Sequence, residues 1–353
     1  MIPRQERALA VARAAGADGL LAADAATVAW LTGFEADIES GPSPFALPPL
    51  AVVTADGPPV LVVSEDDAVA AAALGCEASA YPGFTVEPLA PVGNAKRALA
   101  AAAGGRTLAT EPGALPLALA EGLRLVDASA GLARERAVKD PDELALLRAA
   151  LALCDVGQRE ARAAVAPGLT ELDVWARVRA AIEREAGSRT PLLADLASGP
   201  RSGETGGAPG GRVLAEGDLV ICDLVPRRAG YWGDSCVTLV VGDAPAGARE
   251  KHGRAREALE RGLEALRPGV RAGELDALVR EGLDYPHHTG HGLGTSWHEE
   301  PRIVPGGKTV LEPGMVVALE PGLYGPGEGV RVEAVALVTA DGHELLSAYP
   351  LDL

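Results

Sequence analysis

Four of the six histidines of the chain lie in one short segment, YPHHTGHGLGTSWHE, at residues 285–299. A buried core rarely needs imidazoles this close together, and metal binding and acid–base chemistry are the two common uses of a neutral imidazole at physiological pH. The segment therefore predicts a site of one of these kinds, provided that other parts of the chain supply partner groups. The four imidazoles belong to His287, His288, His291 and His298.

Two pairs of carboxylates in apolar, strand-like runs could supply those partners. In DLVICDLVPRRAGYWGDSCVTLVV, Asp223 and Asp234 are equidistant from a turn at 227–230, so a regular hairpin would place them opposite each other on one face. In MVVALEPGLYGPGEGVRVEAVALV, Glu320 and Glu333 lie near the ends of two further facing strands. Such pairs repel each other and lose solvation, which a cation between them would offset. Four carboxylates and one imidazole suit two divalent ions, Mn²⁺ first, with Co²⁺, Zn²⁺ or Fe²⁺ as alternatives.

The carboxylate pairs lie in two halves that resemble each other in sequence. A helix ending in VAPGLTELD (165–173) is matched by one ending in LRPGVRAGELD (266–276). Two related halves facing each other across a pseudo-twofold axis would share one site between them. Four strand positions recur 97 residues later, namely Leu214, Gly217, Val220 and Asp223 as Leu311, Gly314, Val317 and Glu320.

The elements that hold this site point to two domains. A chain of 353 residues exceeds the usual size of one core. Residues 1–132 alternate apolar runs with turn signals, including two strands joined by Gly-Pro-Pro in LAVVTADGPPVLVVS, and predict an α/β domain. Residues 133–353 form the second domain, which opens with a long helix capped by Asp140 and Glu143. The predicted fold class is therefore α/β (α+β).

The net charge and the distribution of apolar residues argue against two kinds of binding partner, nucleic acid and membrane. The formal net charge of −17 argues against nucleic acid, and no apolar run approaches the roughly 18 residues of a membrane helix. Arg4, Glu6 and Arg7 interrupt the N-terminal apolar positions, unlike a signal peptide, so we expect a cytoplasmic protein without a membrane partner. The four cysteines show no metal-ligand spacing and are expected to be buried, at Cys76, Cys154, Cys222 and Cys236.

The series Asp, ten residues, Asp, then His in HHTGHGLG, Glu in LEPG and Glu in VRVE resembles the dinuclear ligand series of the pita-bread (M24-type) metallopeptidases, the family of methionine aminopeptidase, aminopeptidase P and prolidase. The resemblance covers residues from about 133 to 350 and implies a C-terminal pita-bread catalytic domain. The first 130 residues resemble the N-terminal creatinase/prolidase-like domain of the aminopeptidase P and prolidase branch.

The resemblance implies a role for each matching position. The metal ligands would be Asp223, Asp234, His291, Glu320 and Glu333, with Asp234 and Glu333 bridging two divalent ions. Glu320 would also be the general base for a metal-bridging water, His298 would stabilise the scissile carbonyl, and His287 would line the substrate pocket. Arg302 and Arg331 would hold a substrate carboxylate or brace a ligand glutamate, with a surface salt bridge as the alternative for Arg302.

The other three histidines are not expected to take part in catalysis or metal binding. His288 matches no family position that carries a function and is expected to be structural. His252 and His343 are expected at the surface.

One stretch departs from the family. Prolidases and aminopeptidases P carry a pocket histidine 17 residues before the first metal aspartate, and here that position is Gly206, within SGPRSGETGGAPGG. The metal chemistry would stay intact, while Xaa-Pro specificity becomes an open question. Arg201 or Glu204 is expected to take over part of that histidine's role with a different substrate.

These patterns favour a dinuclear metallohydrolase that cleaves a peptide-type C–N bond, as an Xaa-Pro dipeptidase or Xaa-Pro aminopeptidase acting on small peptides. The alternative is a metal-dependent hydrolase of a non-peptide amide or amidine, akin to creatinase or ectoine hydrolase. A third hypothesis, a binding or scaffold module without catalysis, fits poorly because an unoccupied cluster of buried carboxylates is costly. The resemblance also implies a homodimer.

Overall fold

The computed structural model describes residues 2–36, 43–86 and 88–353. The chain divides into two compact units, Met1–Arg136 and Ala137–Leu353. The predicted boundary near 133 lies within the last helix of the first unit, α6 (Ser129–Ala137).

The described part of the first unit contains a six-stranded sheet of order β4-β3-β2-β1-β5-β6. Leu20 packs in one apolar cluster and its neighbour Leu21 in another, so the sheet is covered on both faces. The strands are β1 Gly19–Ala22, β2 Leu50–Val53, β3 Val60–Ser64, β4 Glu77–Tyr81, β5 Thr107–Thr110 and β6 Arg124–Asp127. The helices before α6 are α1 Pro3–Ala14, α2 Ala25–Thr32, α3 Ala68–Ala73, α4 Pro91–Ala103 and α5 Leu117–Ala120.

The second unit carries three sheets and four α-helices, all within the described residues. One sheet has the order β10-β8-β7 with β9 paired to β8, another has the order β12-β11-β13-β16-β17, and in the third β14 pairs with β15. The helices are α7 Pro141–Ala164, α8 Glu171–Ala186, α9 Ala248–Ala265 and α10 Ala272–Arg280. The strands are β7 Leu192–Ser198, β8 Leu219–Arg228, β9 Tyr231–Trp232, β10 Cys236–Val240, β11 Gly290–Gly292, β12 Glu299–Ile303, β13 Val316–Leu319, β14 Gly322–Gly325, β15 Glu328–Arg331, β16 Ala334–Val338 and β17 His343–Leu345.

The predicted repeat is present in the backbone of the second unit. The middle strands β8 and β13 are preceded by equivalent bends: Gly217 N donates to Val241 O at 2.7 Å, and Gly314 N donates to Val338 O at 2.9 Å. Both glycines have positive φ, 81° and 91°, which L side chains rarely adopt. The order β7-β8-β10 with α7 and α8 thus corresponds to β11-β13-β16 with α9 and α10.

Helix α7 fixes the strands that carry the two predicted ligand aspartates. It begins with the expected cap, in which Asp140 N donates to Glu143 Oε2 at 2.9 Å. Further along, buried Gln158 donates through Nε2 to Cys222 O at 3.2 Å and to Ser235 O at 3.0 Å. Because these carbonyls flank Asp223 and Asp234, the helix ties both aspartate-bearing backbones to one side chain.

The predicted register of this hairpin is wrong. Asp223 pairs with Cys236 across β8 and β10, not with Asp234, which lies two residues before Cys236. The cause is a two-residue turn at Ala229 and Gly230, both at positive φ, which shifts the pairing from the expected turn at 227–230. Asp234 is therefore a diagonal neighbour of Asp223 on the same face.

Candidate metal centre

The five predicted metal ligands lie on the wall of one cavity of about 330 Å³ in the second unit. Their backbones come from both halves of the repeat: Asp223 from β8, Asp234 from the loop before β10 and His291 from β11. Glu320 directly follows β13 and Glu333 directly precedes β16, two strands that pair with each other. The middle strands of the two sheets thus deliver equivalent acids, Asp223 and Glu320.

Three of the acids form a tight cluster of oxygens. One carboxylate oxygen from each of Asp223, Asp234 and Glu333 lies within 4.8 Å of the others. Asp223 Oδ1 and Glu333 Oε1 are buried and have no hydrogen-bond partner. Burial, reinforced by the neighbouring carboxylates, raises the pKa of Asp234 and of Glu333 well above the usual range. Burial also raises the pKa of Asp223 to about 7, against the opposing charge of Arg331.

His291 completes this donor set from the second sheet. Its side chain is buried, and Nδ1 lies 3.0 Å from the carbonyl oxygen of Gly292, which makes Nδ1 the protonated nitrogen. Nε2 is then the lone-pair nitrogen, 3.5 Å from both Asp234 Oδ2 and Glu320 Oε1. Burial lowers the pKa of His291, so the imidazole is neutral, as a metal ligand must be.

Glu320 differs from Asp234 and Glu333 because a histidine donates a hydrogen bond to it and a guanidinium lies nearby. Burial by itself would raise its pKa, but the hydrogen bond from His288 and the nearby His291 and Arg331 lower it to about 2. His288 Nε2 lies 2.7 Å from Glu320 Oε1, and His288 Nδ1 accepts from Arg302 Nη2 at 3.2 Å. Arg302, His288 and Glu320 thus form a chain of hydrogen bonds that ends on the predicted general base.

Arg331 is the buried cation of the site. Its Nη2 donates to Asp223 Oδ2 at 2.6 Å, its Nη1 donates to the carbonyl oxygen of Thr205, and its Nε lies 3.9 Å from Glu320 Oε2. The guanidinium therefore braces two of the predicted ligand acids, Asp223 and Glu320, and fastens the glycine-rich loop that contains Thr205 to the site.

The other two histidines with predicted catalytic roles also reach the cavity. The His298 ring centroid lies 4.0 Å from that of His291, and burial, with the nearby His291 and His288, lowers the pKa of His298 to about 3. The carbonyl oxygen of His298 accepts from Ser296 Oγ at 2.9 Å, and the carboxylate of the next residue, Glu299, pairs with buried Lys139 at 2.6 Å. His287 Nε2 lies 2.9 Å from the hydroxyl oxygen of Tyr324. Both rings are neutral near pH 7, and His298 can donate one hydrogen bond. The N–H of His287 is on Nδ1, which donates to the carbonyl oxygen of His288 at 2.7 Å, so its Nε2 accepts from the Tyr324 hydroxyl.

The remaining predictions for the site fare differently. Arg201 donates to Oε2 of buried Glu171 and to Ala208 O at 2.9 Å, and neither Arg201 nor Glu204 lines the cavity. Both are therefore poor candidates for substrate contact. His288, expected to be only structural, lines the cavity and bonds Glu320. His252, expected at the surface, is buried on the inner side of α9, whereas His343 is exposed.

One charged residue of the cavity wall has no counterpart among the sequence predictions. Asp195 of β7 is paired in register with Asp223, and it lines the cavity. Its Oδ2 lies 3.4 Å from Arg331 Nη2, and its Oδ1 accepts from Gly207 N at 3.0 Å. The sequence ADLAS around it has no histidine or second acid, so the only available signal was its position in a strand next to the glycine-rich loop.

The donor set fits two divalent cations. Buried carboxylate oxygens without hydrogen-bond partners, close to a neutral imidazole nitrogen, are costly unless a cation neutralises them. The oxygens of Asp223, Asp234 and Glu333, with Glu320 Oε1 and His291 Nε2, form the oxygen-rich ligand set that such ions prefer.

The comparisons with known proteins agree with this fold and site. Residues 145–340 match the model of metallopeptidase family M24, and residues 4–138 match the creatinase/prolidase N-terminal domain. The chain belongs to metallopeptidase family M24, as its ligand series indicated. The predicted fold class and the assignment to a metallopeptidase family are confirmed.

Individual relatives lie in the dipeptidase and prolidase branch. The chain is 37% identical over 248 residues to the probable dipeptidase PepE of Mycobacterium tuberculosis, which covers 68% of this chain and 66% of that protein. The solved Xaa-Pro dipeptidase from Bacillus anthracis is similar with a TM-score of 0.84 and 25% identity, over 99% of this chain and 98% of that one. Dipeptidase PepE from Mycobacterium ulcerans aligns with a TM-score of 0.81 and 29% identity, over 99% and 96%.

Within residues 2–36, 43–86 and 88–353, no helix has the length and apolarity that crossing a bilayer requires.

Proposed function

We propose that the protein is a metal-dependent peptidase that hydrolyses the Xaa-Pro bond of small peptides, as an Xaa-Pro dipeptidase or aminopeptidase. The observation that carries the proposal is the donor set of four carboxylates and one neutral imidazole on the wall of a single cavity. Family membership and relatives that bear the names dipeptidase and Xaa-Pro dipeptidase support the substrate class.

Five residues would hold the metal. Asp223, Asp234, His291, Glu320 and Glu333 are the proposed ligands of two divalent ions, for which we propose Mn²⁺ because the set is rich in carboxylates. When bound, the ions would supply Lewis-acid polarisation of the scissile carbonyl and lower the pKa of the attacking water.

Side chains of the protein would accept the proton from the attacking water and orient the substrate. Glu320, kept ionised by His288, is the proposed acceptor of the proton from the attacking water. His298, with its neutral ring next to His291, would donate a hydrogen bond to the carbonyl oxygen as negative charge develops there. His287, oriented by Tyr324, would contact the substrate backbone. Arg331 would keep Asp223 and Glu320 in place rather than bind substrate, since it is buried against both.

Hydrolysis of a peptide panel by the Mn²⁺-loaded protein tests this function. Xaa-Pro dipeptides, Xaa-Pro-Xaa tripeptides and non-proline dipeptides would be compared, with Glu320→Ala as the inactive control. We expect proline-selective turnover that the substitution abolishes. Turnover of non-proline dipeptides at the same rate would leave a metallopeptidase but contradict Xaa-Pro selectivity.

One observation favours the second candidate, a metal-dependent hydrolase of a non-peptide amide or amidine. Position 206, where the family resemblance calls for a pocket histidine, is a glycine, and the carboxylate next to it belongs to Asp195. If a protein shown to hold two metal ions leaves every peptide intact, this second function replaces the first. The expected homodimer and cytoplasmic location stay predictions.

A further inference from the structure

The carboxylate of Asp195 occupies the space that a side chain at position 206 would need. A Cβ atom built on Gly206 would lie well inside contact distance of Asp195 Oδ2 and 3.0 Å from its Cγ. The next residue of the loop, Gly207, donates its backbone N–H to Asp195 Oδ1 at 3.0 Å. Any side chain at position 206 would therefore displace the Asp195 carboxylate. The cavity wall carries a carboxylate here because the loop carries a glycine.

The Asp195 carboxylate is only partly engaged by the protein. A carboxylate offers about four lone-pair sites, and the contacts from Gly207 and Arg331 account for two. The Arg331 contact is the weaker of these, at 3.4 Å, because the same nitrogen donates to Asp223 at 2.6 Å. The Asp195 side chain remains 37% exposed.

The neighbours of Asp195 determine how strongly its negative charge acts on a bound peptide. Two charged residues line the cavity next to Asp195, namely Asp223, its partner in the pairing of β7 with β8, and Arg331. Because Arg331 Nη2 makes its shorter bond to Asp223, at 2.6 Å, Asp195 adds a negative charge that Arg331 only partly offsets. In a small peptide of uncharged residues, the only anionic group is the C-terminal carboxylate. A negative charge that Arg331 only partly offsets repels that group and accepts hydrogen bonds from an amide in its place.

We infer that Asp195 is a specificity-determining residue that selects peptides with a neutral, hydrogen-bond-donating C-terminal side over peptides that end there in a free carboxylate. The inference rests on the proposed function, whose site it refines. It assigns to the protein a preference for peptide amides and longer peptides over free dipeptides.

The test compares substrates that differ only in terminal charge. The kcat/KM of the Mn²⁺-loaded full chain would be measured on Ala-Pro and Ala-Pro-NH₂, and on Ala-Ala and Ala-Ala-NH₂. We expect the wild type to favour the amides, and Asp195→Asn to lower the amide-to-acid ratio about tenfold, chiefly through a lower KM for the acids. A merely structural role of Asp195 would change both members of a pair alike, so an unchanged ratio would overturn the inference.

Further variants test separately the charge of Asp195 and the space that Gly206 leaves for its carboxylate. Glu264→Gln removes an exposed acid on α9 outside the cavity and is expected to leave the ratio unchanged. Gly206→Ala is expected to lower the ratio as Asp195→Asn does, whereas Gly211→Ala, whose Cβ would meet nothing within 4 Å, is expected to have no effect. If the Gly206→Ala protein keeps the wild-type ratio, a side chain at position 206 does not displace the Asp195 carboxylate, which contradicts this part of the inference.

A binding measurement separates this inference from the proposed function. Trp297 lines the cavity, with its ring centroid 5.3 Å from that of Trp232, so its fluorescence can report occupancy. L-Prolinamide and L-proline would be titrated into wild type and Asp195→Asn. If no peptide is hydrolysed, the proposed function fails, but a roughly tenfold change in the Kd ratio still supports the inference. Equal Kd ratios in the two proteins overturn it, whatever the turnover.

Discussion

At the residue scale, the site combines acids whose pKa values are raised with an acid whose pKa is lowered. Asp234 and Glu333 have strongly raised pKa values through burial, whereas the hydrogen bond from His288 helps to lower the pKa of Glu320 to about 2. Pairs of titratable groups whose environments push their pKa values apart commonly mark different roles in one site. This contrast separates the clustered acids Asp234 and Glu333 from Glu320, the proposed base.

His298 allows the catalytic assignment to be tested apart from metal binding. We predict that His298→Ala lowers kcat about 10²- to 10³-fold with little change in KM, because it removes a hydrogen bond that strengthens only as the carbonyl becomes negative. Metal content, measured by elemental analysis, is expected to stay at the wild-type level. A loss of metal together with activity would instead make His298 a ligand, an outcome that its proximity to His288 and His291 makes worth checking.

The sequence was sufficient to predict those residues of the site that stand in recognisable patterns. The four acids and the histidine cluster were conspicuous because acids in apolar strands and clustered imidazoles are unusual, whereas the choice of His291 among the imidazoles came from the family resemblance. Asp195 could not be predicted in the same way, since its place depends on the pairing of β7 with β8 and on the absence of a side chain at Gly206. The contact of Arg201 with buried Glu171 could not be predicted either, because the two residues lie 30 positions apart in the sequence.

At the element scale, the hairpin β8–β9 shows why local pattern gave the wrong register. Arg228 pairs with Tyr231, so the turn consists of Ala229 and Gly230 alone. Two-residue hairpin turns with positive φ at both positions favour Asn-Gly or Asp-Gly, and Ala-Gly lacks that signal. The helices were more predictable, because caps such as Asp140 and Glu143 are local.

This turn offers a stabilising substitution. Ala229 has a φ of 48°, a conformation that alanine adopts at a cost and asparagine tolerates better. We predict that Ala229→Asn stabilises the protein by about 0.5 kcal/mol and that Ala229→Val destabilises it by more, as measured by urea unfolding. Equal stability of all three proteins would mean that the turn is already relaxed. Neither substitution should change activity, since residue 229 does not line the cavity.

At the scale of the whole molecule, all the proposed ligands lie in the unit Ala137–Leu353, and the two repeats contribute to one cluster. Strands from both halves therefore converge on buried carboxylates that repel one another when no cation is bound. The repeat explains how a chain builds such a centre: each half supplies a middle strand that ends in an acid. We therefore expect the stability of the unit to depend on metal.

We predict that Mn²⁺ at about 100 times its Kd stabilises the protein by about 2.7 kcal/mol, and that a chelator reverses the effect. In calorimetry this corresponds to an upward shift of the unfolding transition by roughly 5 to 10 °C for a unit of this size. The matched variant Asp234→Asn/Glu333→Gln removes the like-charge repulsion together with two ligands. It should unfold at a higher temperature than the metal-free wild type and show little response to Mn²⁺. Amide hydrogen exchange should locate the metal-dependent protection in β8, β11 and β13 and not in β1–β6. A wild-type transition that is the same with Mn²⁺ and with chelator would contradict the proposed metal centre itself.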